Sequence, residues 1–152
     1  MNLCYLAPIQ TVLKKKANAP GWRPSRQEIQ DGFITLIPDV SKLEETINSR
    51  NTKFQERKII RQPFVIIVGA DIDSILHSYV SVNDILYKFE SPLRALEVSF
   101  KIFFVLNADY SIDSHPLWLL LQKAVYGINT KHDRAVSTMA TQTLLDRFGL
   151  TL

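Results

Sequence analysis

The chain has 152 residues, 46% of them apolar and 22% charged, a single cysteine at Cys4 and a formal net charge of +3. Such a length and balance fit one core that buries roughly two thirds of the unfolded surface, and they exclude a disulfide-stapled scaffold. No run approaches the ~18 uncharged apolar residues of a membrane helix, and no basic leader precedes the short apolar start. A soluble intracellular protein, cytoplasmic or nuclear and with no membrane contact, is therefore expected.

The charge is unevenly divided. Residues 1–62 hold 11 basic and 6 acidic side chains, whereas residues 63–152 hold 7 and 9. The excess gathers at Lys14-Lys15-Lys16 and at Arg50, Lys53, Arg57, Lys58 and Arg61. A basic cluster of this kind suits contact with phosphates, and equally suits a solvated helix face.

Residues 1–24 read as an arm, because Ala17 to Pro24 is dense in helix breakers; Trp22 should dock on the body rather than stay in water. Residues 25–152 read as a single α+β domain. Ser25-Arg26-Gln27-Glu28 has the form of a capping box, with Ile29, Phe33 and Ile34 forming one apolar helical face behind it. Ser41-Lys42-Leu43-Glu44 repeats that form, and Leu43, Ile47 and Phe54 are spaced for a mostly polar surface helix.

Extended structure is predicted over about 63–89 as a three-stranded antiparallel meander packed against amphipathic helices. Phe64 to Gly69 is a continuous β-branched and aromatic run, as in a strand covered on both faces. His77 to Val82 alternates with period two, and Asn83-Asp84 is a hairpin-type connection to Ile85 to Phe89.

Helices follow. Ser91-Pro92 supplies an N-cap and a first-turn proline, with Leu93, Leu96, Phe100, Phe103 and Leu106 as the apolar stripe. Ser114-His115-Pro116 repeats the start, Leu117 to Ile128 gives the next apolar face, and Gly127 marks its end. A last helix is expected from Ala135, carrying Met139, Leu144, Leu145 and Phe148.

Little chemistry is visible. Asp71 and Asp73 leave the best strand, and Glu97 lies on the helix after the hairpin, an order that resembles ribonuclease-H-like folds using carboxylates to hold Mg²⁺. Such folds need a further strand after that helix, whereas Ile102–Leu106 continues a helical stripe. His77, His115 and His132 have no zinc-ligand spacing, no serine lies in a Gly-x-Ser-x-Gly elbow, and five scattered glycines make no phosphate cradle. No cofactor is implied. Trp22, Phe54, Tyr79 and Tyr87 beside basic residues suit a base-stacking surface if Tyr79 and Tyr87 share a sheet face, and suit core packing otherwise. The helix after Pro116 is apolar nearly all round, so Trp118, Leu121 and Tyr126 become candidates for a partner or self-association interface.

Three stretches, Arg61 to Gly69, Glu90 to Leu96 and Phe103 to Tyr110, resemble the C-terminal region of uncharacterised animal proteins from expanded, mobile-element-like gene families, some described as sterile-alpha-motif-like. The resemblance spans residues 61–130, and its most telling part is the helix ending Leu-Asn-x-x-Tyr before a second apolar helix. It implies continuous helix through Phe103–Leu106 and a chromatin or transposon-related setting, and it carries no catalytic or binding residues. The expected function is thus a non-enzymatic domain that binds a protein partner or itself. The alternatives are a metal-dependent nuclease-like or transposase-derived domain using Asp71, Asp73 and Glu97, and a nucleic-acid-binding module using Arg50 to Arg61.

Overall fold

The computed structural model describes residues 21–71, 73–131 and 133. The expectations for Cys4, Lys14–Lys16, His132 and the helix from Ala135 lie outside the described residues. Trp22 is buried. Contacts divide the chain into two compact units, one of them Asp31–Ser111.

Helix α1 (Arg26–Phe33) starts on the predicted capping box. The Glu28 amide donates to Ser25 Oγ at 3.2 Å and the Ser25 amide donates to Glu28 Oε2 at 2.7 Å, so two orphan donors of the first turn are satisfied reciprocally. Ile34, expected on the face of this helix, instead opens strand β1 (Ile34–Ile37).

In the Asp31–Ser111 unit, β1 is followed by a 3-10 turn (Val40–Lys42) and helix α2 (Leu43–Glu56). The cap of this segment is Asp39, whose Oδ1 accepts from the Ser41 amide at 2.7 Å, so the predicted cap at Ser41 lies two residues late. Helix α2 leads into β2 (Phe64–Gly69), β3 (Ile75–Val82) and β4 (Ile85–Phe89). These form a mixed four-stranded sheet in the order β1-β2-β3-β4. The predicted meander is thereby corrected to three of four strands: β2, β3 and β4 pair antiparallel, and β1 adds to β2 in parallel, Ile34 opposite Val65 and Ile37 opposite Val68. The fold class is α+β.

The register fixes what each face carries. Phe64, Ile66 and Val68 of β2 share a face with Ile37, Tyr79 and Leu86, and Leu43 and Ile47 of α2 pack on it. The other face of β2, Val65 and Ile67, is also buried, which explains why its sequence reads as a continuous apolar run without alternation. Helix α3 (Pro92–Val105) packs against β2, β3 and β4 with Ala95, Ser99, Phe100 and Phe103 buried.

Helix α3 is capped as predicted: Ser91 Oγ accepts from the Arg94 amide at 3.2 Å, and Pro92 occupies the first turn. Its helical hydrogen bonding continues through Phe103–Val105, so this segment is not a sheet strand. Both α2 and α3 close with a left-handed residue. Lys58 (φ 55°) and Asn107 (φ 48°) each follow a helix end, and the bonds Ile59 N to Phe54 O (2.9 Å) and Ala108 N to Phe103 O (2.8 Å) complete the two Schellman caps.

In the other unit, α4 (His115–Ala124) begins at the predicted Ser114-His115-Pro116, although Ser114 makes no side-chain cap bond. Gly127, at φ 62°, follows its end as expected.

Candidate functional site

Of the two carboxylates that follow β2, that of Asp71 serves a turn. Asp71 Oδ1 accepts from the Asp73 amide (2.9 Å), the Ser74 amide (2.9 Å) and Ser74 Oγ (2.8 Å). The Ser74 hydroxyl and the two backbone N–H groups hold the Asp71 carboxyl below its usual value. Two residues before it, Gly69 lies so close to the Ser74 carbonyl that a Cβ built on it would stand 2.5 Å from that oxygen. The β2–β3 connection is therefore tight: a glycine admits the backbone contact and an aspartate supplies the acceptor that orders the turn.

Glu97 is committed elsewhere. On α3 its carboxylate accepts from Arg94 Nη1 at 2.9 Å and from the Lys101 ammonium. Those two bonds, with Lys101 the larger influence, hold Glu97 below the usual carboxylate range. Asp71, Asp73 and Glu97 are not brought into a shared three-ligand group, and among the described residues no cluster of three His, Cys, Asp or Glu side chains is suited to a metal ion. Of the histidines, His77 stands on β3 edge-on to Tyr79 at 6.2 Å, and His115 opens α4.

The basic cluster separates into members with different roles. Arg50 is buried on α2, its guanidinium 4.5 Å from the Phe54 ring centroid and 4.8 Å from that of Phe64, with Nη2 donating to Ser111 Oγ at 2.9 Å. A charge held between two rings and a hydroxyl ties α2 to β2; it is not displayed to a polyanion. Arg61 makes a two-pronged pair with Asp84 at 2.6 and 3.0 Å, pinning the segment that leads into β2 to the β3–β4 turn. That bond lowers the Asp84 pKa and raises that of Arg61. Arg57 Nη1 donates back to the Lys53 carbonyl at 3.3 Å, while Lys58 is exposed at the helix cap. The sheet offers no paired stacking platform either. Tyr79 lies opposite Lys88 and Val80 opposite Tyr87, so Tyr79 and Tyr87 point to opposite faces, and Tyr79 is buried.

On α4, Trp118 is 0% exposed, with Leu117, Leu119 and Leu120 buried beside it, so its ring is enclosed by the chain itself. Leu121 is half-buried and Tyr126, just beyond the helix, is exposed. The end of α4 is closed by polar groups. Gln122 Nε2 donates to the Ile128 carbonyl (3.0 Å) and to the Asp133 carboxylate, which also accepts from the Thr130 amide (3.0 Å). Burial pushes the Asp133 carboxyl up, but the Thr130, Gln122 and Lys123 donors outweigh it and the net shift is downward.

Most of the large apolar side chains exposed among the described residues lie in the Asp31–Ser111 unit, with Val125 and Tyr126 exposed in the other. On α3 the buried face is Ala95, Ser99, Phe100 and Phe103, so the predicted stripe is rotated: its ends, Leu93 and Leu106, are exposed. The last turn presents Phe104, Val105 (81% exposed) and Leu106 in succession. On β4, Ile85 and Tyr87 are likewise exposed. They share the sheet face of Val80 and Val82, opposite the one that α2 covers. Only Glu90 and Ser91 separate β4 from α3, and the helix packs on the sheet, so it must run back along β4. Sequence reading missed this surface, although Phe104 and Val105 lie off the stripe through Phe100 and Phe103 and were the visible sign of it.

Among the described residues no helix is long and apolar enough to cross a membrane. Comparison with family models, with curated proteins and with solved structures gave no match.

Proposed function

We propose that this chain is a non-enzymatic interaction domain, binding another protein or a second copy of itself. The observation that carries this reading is the exposure of consecutive apolar side chains, Phe104, Val105 and Leu106, at the end of α3, with Ile85 and Tyr87 exposed on β4. Clustered exposed apolar side chains on a folded unit are costly in water and mark places that a partner covers. The polar groups that chemistry would need are, by contrast, engaged in holding turns and helices: Asp71 in its turn, Glu97 between Arg94 and Lys101, Arg50 between two rings. Of the residues expected in an interface, Trp118, Leu121 and Tyr126, the enclosed Trp118 ring has no area to offer, so the reading rests on the α3 and β4 side chains. The resemblance to mobile-element-like families gives the domain a chromatin or transposon-related setting.

Val105→Asp tests the reading. The side chain is exposed, so the change should leave the melting temperature within a degree or two of the parent while placing a charge in the apolar surface. Affinity capture from the native source with parent and variant as baits should show proteins retained by the parent and lost by the variant. Identical captures with both baits would remove this surface as the site of binding.

A further inference from the structure

We propose that two copies of this chain join edge to edge through β4, antiparallel, with Tyr87 of each copy on the two-fold axis. The proposal rests on the interaction reading above and commits it to one occupant, a second copy.

The backbone selects the register. Strands β3 and β4 are joined by Asn83 and Asp84, both left-handed (φ 47° and 68°), as the two-residue primed turn requires. In such a hairpin the pair flanking the turn, Val82 and Ile85, exchanges hydrogen bonds, and the pattern alternates from there. Val80 with Tyr87 and Ser78 with Phe89 are then the other bonded pairs. Leu86 and Lys88 therefore turn their N–H and C=O groups away from β3, toward an edge that pairs with no other strand among the described residues.

With Tyr87 on the axis, Leu86 of each copy faces Lys88 of the other. Both are outward-bonding residues, so the arrangement makes roughly four intermolecular backbone hydrogen bonds. Placing the axis at Leu86 leaves roughly two, and placing it at Lys88 sets the two ammonium groups directly opposite each other. Only the Tyr87 register pairs all five residues of β4.

Side chains agree with the backbone. A two-fold axis perpendicular to the sheet keeps like faces together. Tyr87 then meets Tyr87, and Ile85 meets Phe89, on the face that α3 covers, giving aromatic and aliphatic cross-strand pairs. On the other face the aliphatic stem of Lys88 lies over Leu86, and its ammonium reaches solvent. Tyr87 and Ile85, both exposed in the single chain, are the side chains the pairing buries. Edge strands are usually guarded by charge. Here the one lysine falls opposite a leucine in the register that the hydrogen bonds select.

Amide hydrogen exchange across the micromolar-to-millimolar range, beside sedimentation equilibrium, tests this. Expected is a concentration-dependent dimer in which exchange at the Leu86 and Lys88 amides slows as dimer forms, while Tyr87 is protected at every concentration. Lys88→Pro removes an outward donor and leaves the β3 ladder intact, so it should weaken the dimer by about thirtyfold. If that variant does not fold, Tyr87→Lys at an exposed position serves instead; its two like charges on the axis should dissociate the dimer, and added salt should partly restore it. A monomer at all concentrations overturns the proposal, as does a dimer whose Leu86 and Lys88 amides exchange unchanged. Protection of those amides only when a foreign protein is added overturns it in favour of a foreign strand. The Val105→Asp capture comparison is decided independently of each of these outcomes.

Discussion

Gly69→Ala examines the turn that the Asp71 carboxylate orders. A Cβ at this position stands 2.5 Å from the Ser74 carbonyl oxygen and 3.0 Å from the Ile75 Cα, both backbone atoms. Ordinary contact lies near 3.5 Å, so the chain must open by most of an ångström. Ser74 cannot drift freely, because its amide and hydroxyl are both bonded to the Asp71 carboxylate. Overpacking typically costs ~1–3 kcal/mol, and a backbone obstacle puts this case in the upper half, about 2–3 kcal/mol. For a chain of this size that corresponds to a fall in melting temperature of about 4–12 °C. The coupling is the sharper part. Asp71→Ala releases the turn that resists the new methyl group, so the double variant should lose less stability than the two single changes together. Urea unfolding of parent, both single variants and the double closes the cycle. A Gly69→Ala variant within ~0.5 kcal/mol of the parent, or strict additivity in the cycle, would refute the reasoning.

Three further outcomes are expected. Phe54→Ala empties a position that is 1% exposed and takes away one of the two rings around Arg50, so it should cost about 3–5 kcal/mol by urea unfolding; a loss under ~1 kcal/mol would mean that α2 is not anchored there. Lys58→Gly relieves a left-handed lysine at the α2 cap (φ 55°) and should raise stability by up to ~1 kcal/mol in the same assay, whereas a loss would contradict the cap assignment. Asp71, Asp84 and Glu97 are all held below their ordinary values by hydrogen-bond donors, Ser74, Arg61 and Lys101 being the leading ones. Because folding depresses these groups, their stabilisation is complete above the unfolded carboxylate pKa of about 4 and is lost as pH falls through the folded values. Melting temperature should therefore be insensitive to these groups near neutrality and drop below about pH 4; a decline centred near neutral pH would contradict the assignment.

Local rules that act over three or four residues were legible in the sequence. Ser25 with Glu28, Ser91 with Pro92 and the Asn83-Asp84 hairpin all follow from neighbouring side chains and backbone preference. Features that depend on distant partners were not. Strand β1 is four residues that continue the apolar spacing of α1, and its pairing with β2 crosses an entire helix, so nothing local separates it from that helix. Arg50 was read with the cationic cluster because charge is visible in sequence and enclosure is not; Phe54, four residues on, was the available hint, whereas Phe64 was not. The rotation of α3 came from the choice of face. Ala95 and Ser99 are small, so the larger Leu93 and Leu106 drew the predicted stripe away from the side that meets the sheet. For α4, an all-round apolar helix fits either a core or an interface, and the enclosure of Trp118 selects the core.

Residue-resolved hydrogen exchange on the isolated chain and on the assembly purified from its native source tests the interaction reading most directly. Protection gained by β4 and by Phe104–Leu106 on assembly, with the Asp71–Ser74 turn unchanged, is the result expected. Protection gained around Asp71, Asp73 and Glu97 on adding Mg²⁺, with β4 and the end of α3 unaltered in the assembly, would contradict it.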